Sequence, residues 1–338
     1  MEKSKMSILN EDVNNIIKNF DMSLFRNKTV LVTGATGLIG KLCVKSLLES
    51  GFNTKVIALV RNKEKGLRVL GENKNLMLLV QDINSKINLE ENVDYIIHGA
   101  SVTSSSDFVN KPVETIITAI NGTKNVLDFA KTQPKLQAMV YLSSLEVYGV
   151  PENENTSETN YGYIDILSAR SSYSEGKKIT ETLCISYSSE YNVPVKIARL
   201  AQTFGAGVDK NDNRVFAQFA KSVINKENII LHTKGETARN YCYTTDAVCA
   251  IFTILTKGLV ANAYNVANKN TYITIADMAK SLENKDTKVV FEIDNINRGF
   301  NPTMKICLDT NKLESLGWSA KVDLKEMFER TIKSMQEY

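Results

Sequence analysis

Short apolar runs alternate with amphipathic stretches through the first 200 residues of the chain. Six runs have the length and composition of buried strands: KTVLVT, KVIALV, LMLLV, VDYIIH, AMVYLSS and VPVKIARL. Helical or loop segments separate them, and the longest helical patterns are KPVETIITAINGTKNVLDFAKTQ and KKITETLCISYSSEY. Alternation of this kind predicts an α/β fold, a doubly wound parallel sheet with crossover helices.

The pattern is less regular after residue 200. A polar loop, AQTFGAGVDKNDNR, precedes the helical stretches VFAQFAKSVINK, TIADMAKSLEN and LKEMFERTIKSM. We therefore predict a sheet domain over 29–200 and a smaller lobe over 201–239 and 267–338. The apolar stretch TTDAVCAIFTILTKG is expected to bring 240–266 back to the sheet domain.

Residues 1–28 are expected to form an N-terminal helical extension. In SILNEDVNNIIKNF, apolar residues recur at helical intervals, and Asn10 is the expected N-cap. The extension lacks the continuous apolar core of a signal peptide, and no uncharged run in the chain is long enough to span a bilayer. We expect a cytoplasmic protein without a membrane partner.

Composition narrows the classes of function. Of the 338 residues 43% are hydrophobic, and the net charge is only +3, with basic residues scattered along the chain. This pattern argues against nucleic acid as a partner. The five cysteines include no C-x-x-C pair, which is typical of a reducing compartment. Because His98 and His232 are the only histidines, we expect no metal site, and a Ser-His-Asp triad has two candidate bases.

A glycine-rich turn, TGATGLIG, joins the first predicted strand to a helical pattern. Its glycines permit a tight turn, close approach of backbone N–H groups to a pyrophosphate, and contact between helix and strand. The helix N-terminus adds partial positive charge. A structural turn is the alternative, but this context favours a dinucleotide site. The residues expected to form it are Gly34, Thr36, Gly37, Leu38, Ile39 and Gly40.

Cations follow the second predicted strand, where NAD-binding domains carry an acid for the ribose 2′-hydroxyl. In VIALVRNKEK these are Arg61, Lys63 and Lys65. Positive charge suits a 2′-phosphate, so NADP is favoured over NAD, with an exposed basic loop as the alternative. Asp82, just past the third strand, is expected either to contact the adenine or to cap a turn.

A tyrosine and a lysine stand four residues apart in SSYSEGKKITETL. On a helix, Tyr173 and Lys177 share one face and reach one common point. A free phenol ionises at about pH 10, and the ammonium of Lys177 is expected to lower that pKa, which would make Tyr173 a usable proton carrier. A solvated helix face carrying a half-buried tyrosine is the alternative.

Several motifs in the right order make the chain resemble the extended short-chain dehydrogenase/reductase family of nucleotide-sugar epimerases and dehydratases. They are TGATGLIG, HGAS, NGTKNVL, SSLEVYG, the Tyr173 and Lys177 pair, and RNYCYTTDAV. The resemblance implies a Rossmann-type sheet domain and a smaller α/β lobe that binds a nucleoside-diphosphate sugar. A sugar phosphate is the alternative substrate. The resemblance also implies cofactor contacts at Ile83, Ala100, Ser101 and Lys177, and a homodimer built from two long helices of each subunit.

The resemblance assigns catalytic roles. Tyr173 moves a proton at a sugar hydroxyl while hydride passes to or from the nicotinamide, Lys177 holds the nicotinamide ribose, and Ser144 hydrogen-bonds the reacting oxygen. The family's 4,6-dehydratases carry Asp-Glu after this serine, whereas this chain has Leu145 and Glu146. Glu146 therefore fits chemistry that needs one carboxylate. A surface residue or a partner for a lysine is the alternative.

RSSYSEGKKITETL and NDNRVFAQF most resemble the UDP-glucuronate decarboxylase branch, and Arg239 matches an arginine of that branch. Two departures imply a weaker grip on a diphosphate: Gln202 replaces the usual asparagine, and the closing arginine pair is reduced to Lys305 and Ile306, with Arg298 upstream. The expected substrate contacts are Ser144, Gln202, Arg214, Arg239 and Lys305.

Three functions remain open at this point. The first is an NAD(P)-dependent nucleotide-sugar epimerase or decarboxylase that acts through a keto-sugar and recycles its cofactor. The second is an NADPH-dependent reductase of a keto-sugar or ketose phosphate, which Arg61 and Lys63 favour. The third is a non-catalytic Rossmann protein that senses cofactor, and the intact Ser144, Tyr173 and Lys177 argue against it.

Overall fold

The computed structural model describes residues 6–293 and 303–337. Within these ranges the helices are α1 (Ile8–Asn19), α2 (Leu38–Glu49), α3 (Lys63–Leu70), α4 (Ser105–Asn110), α5 (Pro112–Ala130), α6 (Ser171–Tyr191), α7 (Val215–Asn225), α8 (Thr244–Lys257), α9 (Ile275–Lys280), α10 (Asn311–Glu314) and α11 (Leu324–Gln336). The strands are β1 (Thr29–Thr33), β2 (Lys55–Val60), β3 (Leu76–Val80), β4 (Tyr95–His98), β5 (Ala138–Ser144), β6 (Asn155–Thr156), β7 (Val195–Leu200), β8 (Gln202–Phe204), β9 (Ile229–Leu231), β10 (Ala238–Tyr243), β11 (Ala263–Val266), β12 (Asn268–Thr274), β13 (Val289–Phe291) and β14 (Lys305–Leu308). Short 3-10 helices cover Met22–Phe25 and Leu145–Tyr148.

Parallel strands form the main sheet, in the order β11-β7-β5-β4-β1-β2-β3. All six predicted strands are present in it, and the predicted fold class is confirmed. The sequence patterns missed β11, which pairs with β7. Strand order reverses between β1 and β4, and sheets of this kind bind ligands outside the carboxyl ends of the strands at that point.

Helices cover both faces of the main sheet, because successive residues of a strand point to opposite sides. Val30 and Val32 of β1 join the apolar core shared with α1, α2 and α8, whereas Leu31 joins the core shared with α5 and α6. Helix α8 is buried along most of its length and packs against the sheet. The domain boundaries themselves stay a prediction.

A smaller sheet forms around β10, in the order β12-β10-β14-β6 with β8 also beside β10. Strands β9 and β13 form a separate pair. Helices α7, α9 and α11 bury Phe216, Met278 and Phe328 in one apolar core with these strands. Because β8 follows β7 after one residue, this sheet joins the main sheet at the carboxyl end of β7.

The N-terminal helix α1 is anchored to the rest of the chain by buried polar contacts. Asp12 is fully buried and accepts hydrogen bonds from Tyr243 Oη and Arg330 Nη2, each at 2.7 Å. The prediction that Asn10 caps this helix was wrong. Ser7 is the N-cap, and its Oγ accepts from the backbone N–H of Asn10, which already lies inside the helix. Across the described ranges, no helix is both long and apolar enough to cross a membrane.

Candidate active site

The glycine-rich turn after β1 brings three backbone segments into contact that only glycine allows. Gly34 has φ +68°, and a Cβ atom there would lie 2.8 Å from the carbonyl carbon of Gly99 and 2.9 Å from the N atom of Ala100. A Cβ atom on Gly40 would overlap the carbonyl oxygen of Gly34. The turn, the first turn of α2 and the loop after β4 therefore form one tight cradle.

The N-terminus of α2 lies in this cradle. Gly37 is its N-cap and has no side chain to satisfy the first helical N–H groups, those of Leu38 and Ile39. These groups and the positive end of the helix dipole suit an anion. The residues present therefore fit a dinucleotide pyrophosphate.

An open pocket of about 340 Å³ lies beside the cradle at the carboxyl end of β2. Thr36 of the glycine-rich turn lines it, together with Val60, Arg61, Asn62 and Lys65. Asn62 also caps α3, because its Oδ1 accepts from the backbone N–H of Lys65 at 2.7 Å. Two of the three predicted cations thus border the pocket next to the pyrophosphate cradle.

Asp82 caps a turn, the second of its two expected roles: its Oδ1 accepts from the backbone N–H of Asn84 at 2.8 Å. Ile83 is buried, and a Cβ atom on Gly122 of α5 would lie 3.2 Å from its side chain.

Ala100 donates its N–H to Thr33 Oγ1 at 3.1 Å, and Ser101 follows it in the loop after β4. Ala100 is the one of these residues that directly borders the glycine cradle.

Lys177 of α6 is buried behind the predicted reaction point. Its Nζ donates to the carbonyl oxygen of Leu142 at 2.7 Å and lies 4.8 Å from the ring centroid of Tyr141 and 5.8 Å from that of Tyr173. Burial lowers the pKa of Lys177 to about 8, although the negative charge of Glu181 opposes the shift. The lysine is therefore largely an ammonium at neutral pH.

Tyr173 is half-buried and packs its ring against Phe108 of α4, with centroids 4.1 Å apart and planes only 14° apart. The expectation that its pKa is lowered was wrong for the chain as it stands. Burial and the nearby charge of Glu146 raise the pKa of Tyr173 to about 12, and the hydrogen bond with Ser144 only partly offsets them. Lys177 gives its hydrogen bond to Leu142 rather than to the phenol.

Ser144 and Glu146 lie at the carboxyl end of β5, facing the start of α6. Ser144 Oγ accepts from the backbone N–H of Glu146 at 3.2 Å. Arg170 donates two hydrogen bonds to the Glu146 carboxylate, at 2.7 and 2.9 Å, and Ser174 donates a third at 3.1 Å. Partial burial favours the neutral acid, but Arg170 outweighs it, with help from Ser174 and Arg239, and holds the pKa of Glu146 below its ordinary value.

Arg170 and Phe108 belong to the site but are not among the residues that the sequence predicts. The alternative prediction for Glu146 is a lysine partner, whereas its partner in the structure is Arg170, three residues before Tyr173 in the same motif. Its place in that motif is the sequence feature that could have identified Arg170. Phe108 carried no signal, because it reaches Tyr173 only through the fold of α4 over α6.

A second ion pair lies deeper, one turn beyond Lys177, and was also missed. Glu181 and Arg199 are both buried, with Nη2 and Oε2 2.7 Å apart. Ser143 also donates to Glu181, and Arg199 Nη1 donates to Tyr148 Oη at 2.9 Å. This network fixes β5, α6 and β7 to one another beneath the site.

The smaller sheet contributes three of the predicted substrate residues. Arg239 on β10 has its Nε buried without a hydrogen-bond partner among the described residues, and its charge acts on Glu146. Gln202 on β8 lies opposite Tyr241 of β10. Lys305 on β14 is exposed beside β10, opposite Ala238.

Arg214 stands apart from that set because it already has a partner. It makes a double hydrogen bond to Asp212, with Nη2 and Oδ2 2.5 Å apart, although its charge still acts on Tyr173. Arg298, the upstream arginine, lies outside the described residues.

Among the described residues, neither histidine forms a catalytic triad. Both ring nitrogens of His98 are hydrogen-bonded, to Thr33 Oγ1 at 2.7 Å and Thr123 Oγ1 at 2.9 Å, and burial lowers its pKa to about 3. His232 Nδ1 lies 3.2 Å from the carbonyl oxygen of Glu292, in the smaller lobe. Within the ranges that the structure covers, His, Cys, Asp and Glu side chains form no cluster of three able to hold a metal.

The amino-acid sequence is similar to those of known enzymes. UDP-glucuronic acid decarboxylase 1 of Xenopus tropicalis is 28% identical over 310 residues, which cover 90% of this chain and 71% of the relative. UDP-glucuronic acid decarboxylase 3 of Arabidopsis thaliana is 30% identical over 308 residues, covering 89% and 86%.

Solved structures share this fold over most of the chain. UDP-glucose 4-epimerase of Thermotoga maritima, with UDP-glucose, superimposes with a TM-score of 0.75 at 23% identity over 91% of this chain and 99% of the other. UDP-glucuronic acid 4-epimerase of Bacillus cereus, in complex with NAD, gives 0.76 at 20% identity over 91% and 99%. The sequence profile described as the NAD dependent epimerase/dehydratase family matches residues 30–267, and the chain belongs to that family of enzymes.

Proposed function

We propose that this enzyme oxidises one hydroxyl of a nucleoside-diphosphate sugar, changes the resulting keto-sugar, and reduces it again with the same cofactor, as a decarboxylase or epimerase. The observation that carries the proposal is one group of side chains: Ser144 lies close enough to Tyr173 to lower the pKa of its phenol, and the ionised carboxylate of Glu146 lies beside them. The decarboxylases similar to this chain support the reaction class.

The glycine cradle would hold the cofactor pyrophosphate on the N–H groups at the start of α2. A bound nicotinamide supplies the chemistry of accepting a hydride from the sugar and returning it. Arg61 and Lys65 border the pocket where a 2′-phosphate would lie, which supports NADP within a family named for NAD. Mass spectrometry of the denatured, freshly purified protein would show which dinucleotide it retains.

Tyr173 and Ser144 handle the proton of the reacting hydroxyl. With a pKa of about 12, the Tyr173 phenol keeps its proton at neutral pH and donates it to a ketone oxygen that is being reduced. Ser144 hydrogen-bonds the same oxygen and shares its developing charge. In the opposite direction the phenol must first release its own proton to solvent, which positive charge nearby would favour, and the phenolate then accepts the proton of the sugar hydroxyl.

Arg239 makes an acidic sugar the favoured substrate. Its buried Nε is unpaired among the described residues and suits a carboxylate or a phosphate oxygen. On a uronic acid, oxidation at C4 gives a β-keto acid. The C5–C6 bond then breaks, carbon dioxide leaves, and the electron pair moves into the C4 carbonyl as an enolate that is protonated at C5. The ketone is finally reduced.

The test is incubation of the purified enzyme with UDP-glucuronic acid, UDP-glucose and UDP-N-acetylglucosamine. We expect loss of carbon dioxide from the first, measured as released gas and as a lighter product by mass spectrometry, with Tyr173→Phe as the inactive control. Epimerisation without mass change would assign the epimerase branch. If all three substrates return unchanged, the proposed reaction class is wrong.

The second candidate is net reduction of a keto-sugar phosphate by NADPH. Arg61 and Lys65 in the adenosine pocket favour it, and so does Lys305 as the single cation that the closing strand β14 presents. Stoichiometric loss of NADPH absorbance with a ketose phosphate, and none with UDP-sugars, would establish this reading over the first.

We also propose a homodimer formed by α5 and α6. The two helices pack closely, because Gly176 brings α6 near Ile116 and Ala119 of α5. Their outer faces leave Val113, Ile117 and Ile179 between 45% and 66% exposed. Pairing with a second copy would cover these side chains in a four-helix bundle. Light scattering after size exclusion at micromolar concentration tests it, and a monomer would contradict it.

A further inference from the structure

The contact between Arg170 and Glu146 has no assigned role in the reaction. The guanidinium of Arg170, the residue just before α6, meets the Glu146 carboxylate through two parallel hydrogen bonds of 2.7 and 2.9 Å. The exposed fraction of each side chain is about a quarter, 25% and 24%. A two-pronged contact of this kind fixes direction as well as distance.

The aromatic side chain of Phe108 contacts Arg170 on the side away from Glu146. Its guanidinium carbon lies 5.7 Å from the ring centroid of Phe108, and that same ring stacks on Tyr173 at 4.1 Å. Phe108 is only 3% exposed, so it has little room to move. Arg170 is thus held between a carboxylate and a ring that itself contacts the proton-carrying tyrosine.

We propose that Arg170 is a positioning residue that keeps Glu146 ionised and in one orientation beside Tyr173. Glu146 then acts at the reaction point as a fixed negative charge and not as an acid. The inference deepens the proposed function, because it assigns how the single carboxylate of that site is controlled. Ser174, one turn further along α6, adds a hydrogen bond to the same carboxylate.

The charges around Glu146 decide what loss of Arg170 would do. Tyr173 and Ser174 face it from α6, Arg239 acts on it from β10, and Arg214 acts on neighbouring Tyr173. Burial favours the neutral acid, and Arg170 is the largest influence against it. Without Arg170 the pKa of Glu146 rises, although Arg239 and Ser174 still oppose the rise.

The first experiment is the pH profile of turnover of UDP-glucuronic acid. In Arg170→Met we expect kcat to fall about 10²-fold at neutral pH, because misplacing a group of the active site, here Glu146, costs about that much in rate. We also expect the acidic limb of the pH profile to move to higher pH. Arg170→Lys should restore part of both. Ser174→Ala is the matched control, because it removes one hydrogen bond to Glu146 but no charge. We expect it to move the acidic limb less than Arg170→Met does. If the acidic limb of Arg170→Met lies at the same pH as that of the wild type, the proposal is wrong.

The second experiment does not depend on turnover. Thermal unfolding of Arg170→Met, Glu146→Gln and the double variant forms a cycle at neutral pH. We expect Glu146→Gln to lower the melting temperature of the wild type but to raise that of Arg170→Met, because there it removes a partly buried charge that has lost its guanidinium partner. Additive effects would overturn the proposal. If the wild type turns over no nucleotide sugar, the proposed function fails while this cycle still decides whether Arg170 holds Glu146 ionised.

Discussion

The ionisation of Lys177 should set the alkaline limit of activity, and Glu181 should set the ionisation of Lys177. Lys177 Nζ is buried against the Leu142 carbonyl and the Tyr141 ring, and Glu181 lies one helical turn further along α6. Burial lowers the pKa of Lys177 to about 8, and Glu181 opposes that shift. Replacing Glu181 by Gln removes the opposing charge, so the pKa of Lys177 should fall further.

The pKa gives the size of the effect. With a value of about 8, Lys177 is about nine-tenths charged at pH 7 and about one-tenth charged at pH 9. If only the ammonium supports proton transfer at Tyr173, kcat/KM should fall about tenfold for each pH unit above about 8. Each unit by which Glu181→Gln lowers the pKa should move that limb by one pH unit.

The assay is the pH profile of kcat/KM, because this ratio reports groups of the free enzyme. Circular dichroism must show that Glu181→Gln folds, since the substitution leaves Arg199 with a weaker partner. Glu181→Asp keeps the charge, and Ser143→Ala removes one hydrogen bond to Glu181 without removing charge. Both controls should keep the alkaline limb near its wild-type position. A limb above pH 10 in the wild type, or an unmoved limb in folded Glu181→Gln, would refute the reasoning.

Three further substitutions, the last with a matched control, test the site. Tyr173→Phe should keep folding and cofactor binding but lower turnover about 10²- to 10⁴-fold, because only the proton-carrying hydroxyl is lost; near-normal turnover would mean that the site is misassigned. Arg61→Asp should shift the ratio of NADP to NAD affinity toward NAD, as measured by titration, and an unchanged ratio would place Arg61 away from the 2′-position. Gly40→Ala should abolish dinucleotide binding, because the new Cβ atom would overlap the carbonyl oxygen of Gly34. Gly66→Ala in α3 is the control: its Cβ atom would meet only side-chain atoms, the nearest at 3.1 Å, and the variant should bind the dinucleotide normally.

The sequence predicts the main sheet well because its strands are continuous apolar runs separated by helical patterns. It misses β11 for a local reason. This strand, Ala263–Val266, carries Asn265 in its middle, and the polar residue breaks the apolar run. In the fold, Asn265 is fully buried and its side chain contacts Tyr148 Oη, the Thr156 carbonyl and the Asp309 carbonyl. Those partners come from distant segments and leave no mark in the local pattern.

The site shows the same division between local and distant causes. The spacing of Tyr173 and Lys177 is a property of one helix, and the structure places both on α6. The direction of the Tyr173 pKa depends instead on burial under Phe108 and on the charge of Glu146, which the fold brings from two other segments. The spacing in the sequence predicts that Tyr173 and Lys177 lie together. The direction of their pKa shifts can be predicted only when the residues packed around them are known.

That balance bears on the direction of proton transfer in the free enzyme. At neutral pH the Tyr173 phenol is protonated, Lys177 is largely charged and Glu146 is ionised. The site therefore holds a proton ready for a ketone oxygen, which is the requirement of reduction. Oxidation of a sugar hydroxyl needs the phenolate, and the Glu146 charge opposes it, so additional positive charge must come close to Tyr173 first. Arg170 and Arg214 already supply part of that charge, because each of them lowers the pKa of Tyr173, and further positive charge beside the phenol would favour the oxidative step.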